Sequence, residues 1–385
     1  MPDPITPRYG TAALADLVPS LLAGLGVPGF ADPLQIGPLD RAVLLVADGL
    51  GFELLRRHPD LAPFMTEHLD GAGPLSTGFP STTAVSLSSI GTGLPPGEHG
   101  VVGYTMALPE LPRAMNLLQW ALHGKPAQDL TGIVVPETFF GAPTAFERAV
   151  RAGVSVDLVG PVELAHSGLT RSTLRGGRYR GARGRPAIVE DVVAALREGG
   201  PKALVYAYHP ALDATGHAHG VESPEWREAL QEVDRLAQAV ANALPPDSLL
   251  AITGDHGMVD VPPGNQYDLA DHPGLRSGVR LRGGEPRARH VYTRPGAEGQ
   301  VLAAWSEVLG EGWWVLSGEE AIRRGWFGSH LAEGVRERVG DVIAAARGPY
   351  AVMQRDVFWP ETEMIGHHGS LTAEEALVPQ LLVRR

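Results

Sequence analysis

The sequence predicts an α/β fold in which a mostly parallel sheet is covered by helices on both faces. Short β-type runs alternate with stretches of helical pattern along most of the chain. Those runs are almost continuously apolar, as in AVLLVA at 42–47 and ALVYAY at 203–208, which suits strands buried on both sides. The length, 385 residues, accommodates one large α/β unit carrying an insertion.

Taken in order, strands are expected at 42–47, 132–135, 154–159, 203–208, 249–253 and 380–383, each a run too short for a helix. Helices are expected between them at 81–92, 144–152, 187–198 and 224–243. After Asp255 the rhythm changes. From 259 to 365 there are Pro/Gly turns, a strand-like RHVYTR, a helix at 298–309 and an aromatic cluster of Trp313, Trp314, Trp326 and Phe327. This stretch reads as a small inserted α+β subdomain with the Trp cluster as its own core. Residues 1–258 and 366–385 then form the main domain. Between Arg171 and Arg185 lies a Gly-rich stretch with six arginines. It reads either as a solvated, mobile loop or as a clamp that reaches over a site and grips phosphates.

Composition narrows the function classes. A net charge of −12 argues against sequence-independent nucleic-acid binding. No apolar run reaches the roughly 18 residues needed to cross a bilayer, and the start has no basic region ahead of its apolar stretch. A cytoplasmic, membrane-free protein is expected. With no cysteine, any metal must be held by His, Asp or Glu. The sequence fixes no oligomeric state.

Three aspartates fall just past the ends of expected strands, where open parallel sheets bind ligands. Asp48 follows AVLLVA. Asp213 lies beyond ALVYAY in D-A-T-G-H, which puts His217 one helical turn later. Asp255 follows LLAITG and adjoins His256 in G-D-H-G. A fourth element, G-H-H-G at 366–369, supplies His367 and His368. Each alone has a bland reading as turn, cap or surface residue. Together they offer three carboxylates and three imidazoles, enough for two oxygen/nitrogen sites suited to Zn²⁺. The Ser/Thr run from Ser81 opens an amphipathic segment that ends in the Gly-rich turn T-G-L-P-P-G-E-H-G. A hydroxyl at such a helix start is an ordinary cap, or a nucleophile if a bound metal lowers its pKa.

This set resembles the alkaline phosphatase superfamily, and most of all its type I phosphodiesterase/nucleotide pyrophosphatase branch, over roughly 40–105, 203–258 and 364–370. The resemblance implies a three-layer α/β/α sandwich, two zinc ions per chain and a threonine nucleophile. The ungapped match of the T-G-L-P-P-G-E-H-G loop places that nucleophile at Thr83, with Thr82 as fallback. It implies one zinc on Asp48, Asp255 and His256, touched by the Thr83 oxygen, and the other on Asp213, His217 and His368, with His367 outside the ligand set. Where the branch commonly reads T-F-P-N, this chain has T-A-V-S, leaving Ala84 and Ser86. Tyr104 falls where the family has an Asn that contacts the phosphoryl oxygen, and Tyr208 matches an aromatic that stacks on the base. The implied activity is hydrolysis of a small phosphoric ester or nucleotide through a covalent phosphothreonine intermediate. A phosphonate hydrolase or phosphomonoesterase of the same superfamily, and an idle scaffold of the same fold, are the alternatives. A sulfatase is not, since its C/S-x-P-x-R signature is absent.

Overall fold

In the computed structural model, residues 3–69, 73–358 and 360–385 are described. The elements of the first half are β1 (Arg41–Ala47), α1 (Thr83–Thr92), α2 (Ala145–Arg151), β2 (Ser155–Gly160), α3 (Gly168–Thr173) and β3 (Arg178–Gly181). Next come α4 (Gly184–Glu198), β4 (Ala203–His209), α5 (Ala211–His219), α6 (Pro224–Ala243), β5 (Ser248–Thr253) and β6 (Val259–Asp260). The remainder contributes β7 (Val279–Glu285), β8 (Ala288–Thr293), α7 (Glu298–Leu309), β9 (Trp313–Ser317), β10 (Val342–Ala346), β11 (Gly366–His367) and β12 (Leu381–Arg384).

The central sheet runs β12-β5-β1-β4-β2-β3. All its pairings are parallel except that of β12, which lies antiparallel on β5. Alternation along β1 feeds two cores, because successive side chains leave opposite faces of a strand. Val43, Leu45 and Ala47 join residues of α4 and α6. Ala42, Leu44 and Val46 join residues of α1 and α2 on the other side. Both faces are therefore buried, which is why these strands read as unbroken apolar runs rather than as alternating ones.

A second sheet, β7-β8-β10-β9, is antiparallel throughout. The adjacent tryptophans of β9 point to opposite faces. Trp313 packs with Trp305 of α7, whereas Trp314 joins Trp326, Phe327 and, from the first half of the chain, Phe79 and Trp120. The aromatic cluster is thus shared with residues 79–134 and is not a private core of the 259–365 stretch.

Two further expectations are corrected. Residues 132–135 form a turn, with Val134 N–H donating to Leu130 O at 2.7 Å and Trp120 Nε1 donating to Val134 O at 2.7 Å. Ile133 and Val135 are exposed, and only Val134 enters the core, so the β-branched run is spent on a turn rather than a strand. The arginine-rich stretch is not one continuous irregular loop. It contains the end of α3 and the edge strand β3, and all six arginines reach carboxylates. Arg178 and Arg180 converge on Asp157 and Glu198, while Arg171, Arg175, Arg183 and Arg185 pair with Glu137, Glu147, Glu163 and Glu232.

Candidate active site

Parallel strands deliver three carboxylates to one end of the sheet. Asp48 follows β1 directly, Asp255 follows β5 after Gly254, and Asp213 stands in the first turn of α5 beyond β4. Gly49 brings them together. Its φ is +77°, its N–H donates to Asp255 Oδ1 at 3.1 Å, and a Cβ there would lie 2.9 Å from the Asp213 Cα. The backbone completes the join: Asp48 N–H donates to His209 O at 3.0 Å, and Asp213 N–H to Asp48 O at 3.1 Å.

The three histidines are oriented by a common device. Nδ1 of His256 meets Gly257 O at 2.9 Å, that of His217 meets Gly366 O at 2.7 Å, and that of His368 meets Ser81 O at 2.9 Å. A carbonyl only accepts, so Nδ1 carries the hydrogen in each case and Nε2 presents its lone pair to the centre. The result is two donor sets, Asp48–Asp255–His256 and Asp213–His217–His368, each with its ligand atoms within 4.8 Å of one another. The sets adjoin: the His256 and His368 rings stack with centroids 3.6 Å apart. His367 stays outside, its Nε2 directed to Met364 O at 3.2 Å.

The residues fit a pair of cations. Asp48 Oδ1, Asp213 Oδ1 and Asp255 Oδ2 are buried oxygens without a hydrogen-bond partner, one from each carboxylate. Leaving such groups unmatched is costly, and a cation among them removes the cost. The electrostatics agree in direction. Burial and the neighbouring Asp48 push the Asp255 carboxyl up to about 7. Burial works against the charged form of His256, yet the fields of Asp255 and Asp48 prevail and lift it to about 10. Without a cation the first set thus takes up a proton on His256, and a bound cation would take that proton's place. His368 moves the other way, held well below the usual histidine range by burial and by His256.

Thr83 is the first residue of α1, with Thr82 as its N-cap, so its hydroxyl sits among backbone N–H groups that have no partner within the helix. Its Oγ1 is 3.1 Å from His256 Nε2, on the side of the first donor set. Thr82 is turned toward Glu285 instead. The segment is tied in place by the loop that carries His368. Ser81 N–H donates to Gly369 O at 3.1 Å and Ser81 Oγ to Ser370 O at 2.7 Å, while Ser86 Oγ donates to Asp255 O at 2.6 Å. That loop is fixed in turn by the buried Glu375, which accepts from Ser370 N at 3.0 Å and pairs bidentately with Arg287 at 2.7 Å.

Two cavities flank Thr83. One, of about 260 Å³, is largely apolar and lined by Leu87, Leu169, Leu174, Tyr179 and Tyr208 beside Asp48. The Tyr208 hydroxyl is engaged with Asp48 Oδ2, so the residue meets the cavity with its ring rather than with a free donor. The other, of about 210 Å³, lies beside Asp213, His217 and His368. Tyr104 lines it, but its phenol hydrogen is committed to Glu361 and is not available to a phosphoryl oxygen. Asn116, Glu285 and Glu361 were not singled out by the sequence, and they line the same cavity. The Asn116 Oδ1 accepts from Gln119 N at 3.0 Å, which leaves its NH₂ as a donor for the cavity. No motif surrounds these three: Asn116 comes from a short strand, Glu285 from the end of β7 and Glu361 from the helix Pro360–Glu363.

A sheet whose strand ends carry paired carboxylate–imidazole sets, with a hydroxyl beside them, points to the alkaline phosphatase superfamily. Within it, the family described as Type I phosphodiesterase / nucleotide pyrophosphatase matches residues 42–371, and the chain belongs to that family. Among solved structures, murine ectonucleotide pyrophosphatase/phosphodiesterase 5 superposes with a TM-score of 0.66 at 19% identity, covering 90% of this chain and 88% of that one. Phosphonoacetate hydrolase from Sinorhizobium meliloti, solved with phosphonoacetate, gives 0.66 at 18% identity and 90% coverage of both. At these identities the likeness is one of fold. Human ectonucleotide pyrophosphatase/phosphodiesterase family member 7 is 36% identical over 125 residues, 31% of this chain and 27% of that protein. The chain thus spans about a quarter of that relative's length, and 6% of a mouse GPI ethanolamine phosphate transferase 3 catalytic subunit.

Proposed function

We propose that the chain is a phosphodiesterase or nucleotide pyrophosphatase that hydrolyses a small phosphoric ester or anhydride, with Thr83 as nucleophile and two Zn²⁺ as cofactors. One observation carries the reading: Thr83 Oγ1 lies beside His256 Nε2, at the edge of two adjoining donor sets whose carboxylates each keep an unmatched buried oxygen. On this reading Asp48, Asp255 and His256 hold one zinc, and Asp213, His217 and His368 the other. When bound, the ions would supply positive charge for the phosphoryl oxygens and lower the pKa of the nucleophile.

The chain's own residues do the rest. The start of α1 aims the Thr83 oxygen and offers N–H groups to phosphoryl oxygens. Asn116 offers a further donor from the cavity beside Asp213, His217 and His368. Attack in line from the first donor set places the departing oxygen toward Asp213, His217 and His368. The Thr83 Oγ1–phosphorus bond forms as the bond to the departing oxygen breaks, and water later cleaves the phosphothreonine.

The test is turnover of bis(4-nitrophenyl) phosphate against 4-nitrophenyl phosphate, with metal content measured before and after chelation. The diester should be the better substrate, with about two zinc per chain, and chelation should abolish turnover until zinc is restored. Full activity in chelator, or a preference for the monoester, overturns the reading.

A further inference from the structure

A third cavity, of about 530 Å³, is larger than either of the two beside Thr83, and neither Thr83 nor any of the six donor residues lines it. Leu54, Val221, Met258, Trp314 and Pro349 give it an apolar wall. Arg347, which follows β10 directly, also lines it. This arginine is half-buried, with its guanidinium carbon 5.3 Å from the centre of the Trp314 ring. Its Nε is buried without a hydrogen-bond partner, and no carboxylate among the described residues forms an ion pair with it. The other ionic groups of the wall are engaged or wet. Arg287 is held by Glu375 at 2.7 Å and Arg57 by Glu374 at 2.9 Å. Asp260 accepts the Val221 N–H at 2.8 Å, and burial pushes its carboxyl up, toward the neutral form. Asp3 and Glu222 are exposed. A buried guanidinium N–H left unmatched costs free energy, and an anion placed on it removes the cost.

We infer that this cavity is a second binding site, which takes a medium-chain fatty carboxylate with its head on Arg347 and its chain against Trp314, Met258 and Leu54. The head follows from the charge count. One free guanidinium matches one carboxylate, whose two oxygens fit its fork, whereas a dianionic phosphate would bring a second charge toward the surrounding acids. The chain follows from the wall, since apolar surface of this extent is covered by hydrocarbon and not by a bare anion. No residue of this site is shared with the catalytic one, so binding stands whatever reaction the chain performs.

Titration calorimetry of the full chain with octanoate, acetate and octyltrimethylammonium, before and after chelation, tests the inference. Octanoate should saturate at one per chain with a Kd of about 0.1–10 mM. It should bind equally well after chelation, because its head sits on Arg347 and not on a metal ion. Acetate lacks the chain and octyltrimethylammonium carries the wrong charge, so each should bind at least about tenfold more weakly. Arg347→Met keeps an apolar stem and removes the charge, and should weaken octanoate by at least about tenfold. If that variant does not fold, the wild-type series decides. No saturable binding of octanoate, loss of binding on chelation, equal binding of octyltrimethylammonium or acetate, or unchanged affinity in Arg347→Met overturns the inference. None of these results bears on the diesterase reading, which stands or falls on turnover of bis(4-nitrophenyl) phosphate.

Discussion

The Tyr208 hydroxyl is bonded to Asp48 Oδ2, which leaves Oδ1 of the same carboxylate facing the centre without a partner. One residue on β4 thus sets which oxygen of a residue after β1 is free to bind a cation. Tyr208→Phe keeps the ring on the cavity wall and removes this bond. Cation affinity at the Asp48–Asp255–His256 set should fall by about 10- to 100-fold, as chelator competition would measure. Unchanged affinity would show that Asp48 needs no such support.

Thr83→Ala should lower turnover by at least about a thousandfold while the metal content stays the same. If activity persists, Thr82→Ala distinguishes the neighbouring hydroxyl, although Thr82 faces Glu285 and not His256.

Gly49 is the position where a methyl group should do most harm outside the ligands. Its positive φ costs an alanine about 1–2 kcal/mol, and the new Cβ would push on Asp213. Gly49→Ala should lose both thermal stability and cation binding. A variant that loses stability alone would show that Asp213 can move without harm.

How much of this was legible in the sequence follows from what each part depends on. Strands β1, β4 and β5 announce themselves because burial on both faces demands continuous apolar residues, and the acids at their ends follow from the chain order. The 132–135 run has the same composition yet forms a turn, because pairing with a neighbour, not the run itself, makes a strand. Edge strand β3 was hidden for the opposite reason, since an edge tolerates arginine and glycine. Glu285 and Asn116 reach the site through contacts between residues far apart in sequence, which no local spacing records. The role of Tyr104 was likewise invisible until Glu361 was found opposite it.

Acid should unfold the protein for a reason separate from the catalytic centre. His99 accepts the Val101 N–H at Nδ1 at 3.1 Å and meets Ser89 Oγ at 3.1 Å through Nε2, and burial holds it down to about 3. Burial also holds His290 down to about 3. Unfolded, each takes a proton near pH 6.5. Between those values the unfolded state binds more protons, so stability falls as pH drops from about 6.5 toward 3, by up to about 1.4 kcal/mol per pH unit per histidine. Urea unfolding at several pH values should show this slope, reduced by one proton's worth in His99→Gln. An identical slope in that variant would remove His99 from the account.

The ion pairs along β3 have an effect beyond local stability. A sheet ending in a bare apolar strand invites another polypeptide to extend it, the usual route to unwanted self-association. Here an incoming strand would meet Arg178 and Arg180 already gripped by Asp157 and Glu198, and would have to displace them to lie flat. These two arginines act as a border, closing the sheet on one flank.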